Sequence, residues 1–193
     1  MSPPFRVSGG FVLLAAWFVL ANGWAPMAAV LSAAAAHELG HWLVLRLLGA
    51  RVTGFRLSAL GAVLETGSRR LSYGGELAAV LAGPGGNLLA AVILTAAGEG
   101  RWSAAVGANL LLCVFNLLPI RPLDGGRALY LLAAWLRGPG AGEAAARWAG
   151  TAASVTLAAG LGYVMLRTRG SLWLIPALLA GVHWGLRPWF SGE

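Results

Sequence analysis

The sequence predicts an all-α membrane protein of about six transmembrane helices, with one short β-hairpin between the second and third. Three observations carry this. Of 193 residues, 58% are hydrophobic and only 11% charged, and the mean hydropathy is +0.72. A soluble domain carries roughly 25% charged residues because it faces water on every side. Six segments also approach the roughly 20 apolar residues that a bilayer crossing requires. Finally, the stretch 51–66 alternates in polarity where its neighbours run continuously apolar.

The first segment, about 8–24, has one arginine (Arg6) before it and Ala21–Asn22–Gly23 at its end. That pattern loosely resembles a signal peptide. The next apolar run follows within a few residues, however, so a retained helical hairpin is the better reading. The second segment is 26–48, the third 74–98 and the fourth 101–118. A short segment at 125–137 precedes a fifth at 145–166 and a sixth at 171–187. Between the second and third, Phe55, Leu57 and Ala59 alternate with Arg56, Ser58 and Leu60. Gly61 then breaks the run before AVLET, as in two strands around a turn. Such a hairpin would offer an edge to an extended peptide. The whole, 1–193, reads as one polytopic domain with its motifs in 26–137.

The net charge of +7 comes from arginine alone; there is no lysine. The arginines sit singly between apolar runs and form no basic stripe, which excludes a nucleic-acid partner. Arg6, the group Arg46 to Arg70, the group Arg121 to Arg147 and Arg187 fall on one side if both termini are cytoplasmic, as the positive-inside rule prefers. Arg101, Arg167 and Arg169 fall on the other. The nine tryptophans gather mostly near segment ends, where an interfacial aromatic belt sits. Cys113 has no second cysteine to pair with and reads as packing. An arginine-only basic set rich in Ala and Gly fits a bacterial, high-GC genome.

The second segment contains His37–Glu38–Leu39–Gly40–His41. On a helix, residues four apart share a face, so both imidazoles can address one ion. Glu38, turned about 100° from His37, misses that first shell but can reach a water activated by the metal, the general-base role of HExxH peptidases. Zinc suits the arrangement because it acidifies water and polarises a carbonyl. Two histidines and a glutamate amid an apolar helix are costly unless functional.

A catalytic zinc takes three protein ligands and keeps a position open. The chain holds one aspartate, Asp124, in the run from Asn116 to Gly126. Pro119 and Pro122 interrupt the helix there, and Gly125 and Gly126 permit close backbone approach. Asp124 is therefore the expected third ligand, with N-capping of the following helix as the plain alternative. Asn116, and with less support Asn87 in Ala82–Gly83–Pro84–Gly85–Gly86–Asn87, could orient substrate or donate to an oxyanion. His183, Glu65, Glu76, Glu99 and Glu143 read as interface, first-turn or loop residues.

HELGH at 37–41, AGPGGN at 82–87 and NLLPIRPLDGG at 116–126, in that order, resemble the site-2 protease family of intramembrane metalloproteases. The resemblance implies zinc, one per chain, on His37, His41 and Asp124, with Glu38 as base and Asn116 positioning substrate backbone. It implies cleavage within a transmembrane segment of a membrane-protein substrate, access controlled by a regulatory membrane protein, and a multi-pass place in the cell membrane. The layout is similar to the small bacterial branch that includes the stage-IV sporulation factor. From these 193 residues, neither the C-terminal nucleotide-sensing domain of some of those members nor the PDZ insertion of the larger branch is expected. The rival readings are a zinc-binding membrane transporter, which would show internal repeats and ligands along a path, and a non-catalytic binder of transmembrane segments, in which a damaged pentad is expected.

Overall fold

A computed structural model describes residues 5–50, 52–58, 61–66, 71–98, 100, 102–120 and 122–167. The sixth apolar segment and His183 lie outside the described residues. The elements run β1 (Phe5–Val7), α1 (Gly9–Asn22), α2 (Trp24–Leu47), β2 (Val52–Ser58), β3 (Gly61–Thr66), α3 (Tyr73–Ala97), α4 (Ser103–Asn116), α5 (Asp124–Arg137) and α6 (Pro139–Arg167). The chain divides into two compact units, residues 1–115 and 116–193.

In the first unit, α1 and α2 are joined by the single residue Gly23, whose φ of 86° lies in the left-handed region that favours glycine. Its N–H closes α1 onto the Val19 carbonyl at 2.7 Å. Helices α2 and α3, of 24 and 25 residues, are long and apolar enough to cross a membrane by length and composition. Helices α1 and α4 are apolar but 14 residues each, about 21 Å long, short of the roughly 30 Å hydrocarbon layer. Much apolar surface points outward: Leu20 is 87% exposed and Leu111 71%. A water-soluble protein does not tolerate that scale of exposed apolar surface.

Helices α2 and α3 meet through rows of small residues four apart. On α2 the buried row is Ala29, Ala33 and His37; on α3 it is Ala79, Gly83, Asn87 and Ala91. Small side chains let the backbones close up. A Cβ at Gly40 would collide with the Ala82 carbonyl, and one at Gly86 would stand 2.7 Å from the Ala36 oxygen. Each row carries one polar residue into the contact.

Strands β2 and β3 pair antiparallel, Phe55 opposite Leu64 and Ser58 opposite Gly61, with an irregularity between Val52 and Gly54. β1 adds parallel to β2, Phe5 opposite Phe55, giving the order β1-β2-β3.

In the second unit, a turn leads from Asn116 into α5, with Ile120 only 2% exposed and Leu123 N–H donating to the Ile120 carbonyl at 2.8 Å. Helix α5 packs on α6 through Leu131, Ala134 and Ala146, all nearly inaccessible. Gly142 lies 2.8 Å, measured from a Cβ position, from the Tyr130 carbonyl. Leu123 occupies the N-cap of α5, so Asp124 is the first helical residue and not the cap. A carboxylate there still faces the positive end of the helix.

Candidate metal centre

His37 and His41 stand one turn apart on α2, and their side chains are fixed from behind by α3. His41 Nδ1 lies 2.7 Å from the carbonyl oxygen of Ala79. A carbonyl only accepts, so this nitrogen carries the proton. His37 Nδ1 lies 2.7 Å from Asn87 Oδ1. The Asn87 amide is oriented independently, because its Nδ2 donates to the Ala33 carbonyl at 2.8 Å and to Asn109 Oδ1 at 2.9 Å. His37 therefore also donates from Nδ1.

With both Nδ1 atoms committed to partners on α3, the two Nε2 atoms face each other 3.1 Å apart. The rings stand nearly perpendicular, at 84°. Two imidazole nitrogens aimed at one point can share a cation. Their separation is close to the edge, about 3.3–3.4 Å, of a tetrahedron whose nitrogens lie roughly 2.0–2.1 Å from a central zinc. In the second unit, Asp124 Oδ2 is shut off from solvent. Two imidazoles and a carboxylate are a donor set that zinc accepts.

Space for an ion is kept open by Gly83. A Cβ there would collide with His41 Nε2 and stand 2.6 Å from His41 Cε1 and 2.8 Å from His37 Cε1. On these grounds the residues present fit the metal. At Gly125 a Cβ would collide with the Leu117 carbonyl and stand 2.6 Å from that of Leu118, so the residue following Asp124 is held directly against its own turn.

The other expected residues fall as follows. Glu38 is half-buried beside His37 on α2, and Asn116 is half-buried at the last position of α4. Asn87 is 0% exposed and sits behind His37. Asn109, 1% exposed, is a participant that sequence reasoning passed over, although an amide in the middle of an apolar helix is itself a signal.

No family model matches the sequence. The fold is that of a site-2 protease from Methanocaldococcus jannaschii, with a TM-score of 0.68 at 21% identity, covering all of this chain and 94% of that one. The sequence is 34% identical to a Mycobacterium tuberculosis protein named as a zinc metalloprotease, Rip3, over 86% of this chain. The same match holds in two strains. The chain thus shares its fold with a site-2 protease and its sequence is similar to that of a protein named as a zinc metalloprotease. It spans 45% of the length of the Rip3 relative. Zinc, the metal in that relative's printed name, is one that imidazoles such as those of His37 and His41 ligate.

Proposed function

We propose that this chain is a member of the site-2 protease family, an intramembrane zinc metalloprotease that hydrolyses a peptide bond within or near the transmembrane segment of a membrane-protein substrate. The observation that carries the proposal is the pair of imidazoles one turn apart on α2, each with Nδ1 held by a partner on α3 and Nε2 facing the other ring. His37, His41 and Asp124 hold one zinc per chain. When bound, the metal acidifies a water and polarises the scissile carbonyl.

The chain's own groups do the rest. Glu38, next to His37 but turned about 100° around α2, takes the proton from the attacking water and passes it to the leaving amine. Asn116 offers its amide to substrate backbone. A helical substrate shields its own amide bonds, so the segment unwinds, and the extended strand pairs along the β2–β3 hairpin. The exposed apolar faces of α1 to α4 lie against lipid, in a multi-pass arrangement of a bacterial cell membrane with both termini cytoplasmic. A regulatory membrane protein controls access.

The test is reconstitution of the purified protein with single-pass candidate substrates, followed by mapping of the cut sites. Cuts inside the apolar segment that disappear with Glu38→Gln, while zinc is retained, support the reading. A transporter or a non-catalytic binder of transmembrane segments would leave every substrate intact. Full activity in Glu38→Gln would remove Glu38 from the mechanism.

A further inference from the structure

Behind His37 lies a chain of amides that crosses three helices. Asn109 on α4 donates from Nδ2 to the carbonyl of Ala105, one turn back, at 2.9 Å. That bond decides which end of the amide is oxygen, since a carbonyl only accepts. Asn109 Oδ1 then faces Asn87 Nδ2 on α3 at 2.9 Å. Asn87 commits its second N–H to Ala33 on α2 at 2.8 Å, which leaves Oδ1 for His37 Nδ1 at 2.7 Å. Every orientation in the series follows from a backbone carbonyl at one end or beside it. Asn87 and Asn109 are the largest fully buried side chains among the described residues.

We infer that Asn109 and Asn87 are positioning residues that hold His37 in its Nδ1–H form, with Nε2 turned toward the metal position. An imidazole that ligates through one nitrogen needs an acceptor for the other, and that acceptor sets both tautomer and ring angle. The two histidines differ in how they are served. His41 is held by main chain, the Ala79 carbonyl, while His37 depends on a side chain that depends on another. Asn87 has neither exposure nor uncommitted donors with which to meet a substrate, so its part in the site is played from behind the ligand. The inference rests on the zinc reading proposed above.

The experiment measures zinc dissociation constants for the full chain in detergent micelles, by competition with a chromophoric chelator, so its readout is independent of cleavage. Asn87→Ala is expected to weaken zinc binding about 10- to 100-fold. Asn109→Ala, one link further away, is expected to weaken it about 3- to 10-fold, and to add less than about twofold in the Asn87→Ala background, because its influence passes through Asn87. Asn109→Asp keeps an acceptor for Asn87 Nδ2 and should return affinity to within about twofold of wild type, a rescue that a purely packing role would not give. Should Asn87→Ala fail to fold, Asn109→Ala and its rescue decide the matter alone. The relay is overturned if Asn87→Ala binds zinc as wild type does, if Asn109→Ala costs the same in both backgrounds, or if Asn109→Asp restores nothing. Wild-type protein that takes up no zinc would instead overturn the metal reading on which the relay rests.

Discussion

Gly83→Ala adds a single methyl group at the most crowded point of the centre. The new carbon would stand 2.6 Å from His41 Cε1 and 2.8 Å from His37 Cε1, with His41 Nε2 closer still. Carbon–carbon contacts settle at about 3.5–4.0 Å, so each ring must retreat by roughly 0.7–0.9 Å or more. Ligand distances tolerate only about 0.2 Å, and both rings are tied through Nδ1, so they cannot withdraw without surrendering those bonds. Overall stability changes far less. Alanine in a helix interior gains about 0.5–1 kcal/mol over glycine, against about 1–3 kcal/mol for overpacking. The variant should therefore fold, with a melting temperature within several degrees of the metal-free wild type, yet lose zinc affinity at least about 100-fold, more than loss of a hydrogen-bond partner behind a ligand costs. Zinc per chain after dialysis, read beside a thermal melt, checks both halves. A Gly83→Ala protein holding one zinc at wild-type affinity would refute the reasoning.

Three further perturbations follow from the same geometry. Glu38→Gln should keep zinc within a few-fold while cleavage falls about 10²- to 10⁴-fold, the usual contribution of a general base; parallel metal and peptide-product measurements separate the two. Asp124→Ala should leave the two imidazoles alone to hold the ion, and zinc per chain after dialysis should drop well below one; retention of a full equivalent would exclude Asp124 as a ligand. Gly125→Ala drives a methyl group into the Leu117 and Leu118 carbonyls, which cannot yield as a side chain can. A loss of stability of about 1–3 kcal/mol is expected, visible as a lowered melting temperature even without metal.

What could be read from the sequence was what local geometry decides. Helices α1 to α5 begin and end within about two residues of the apolar segments, because length and composition alone mark such runs. The start of α6 at Pro139 lies well before the apolar run at 145, since its first turns are small and polar. The pairing of His37 with His41 follows from a spacing of four on one helix. The position of Asn87 behind His37 does not follow from spacing, because it depends on how α3 is rotated against α2, which Gly40, Gly83 and Gly86 set through close approach. Asn109 was hidden for the same reason, one helix further on. Strand β1 is three residues long and pairs with a strand some 50 positions away; nothing local in Phe5–Val7 announces a partner.

The glycine contacts on α2 and α3 have a mechanical consequence. Gly40 receives the Ala82 carbonyl and Gly86 receives that of Ala36, so each helix is notched into the other in both directions. Two rods keyed in this way cannot slide or roll without first separating. Whatever motion admits a substrate strand must therefore be made by other segments, with this pair serving as the fixed anvil.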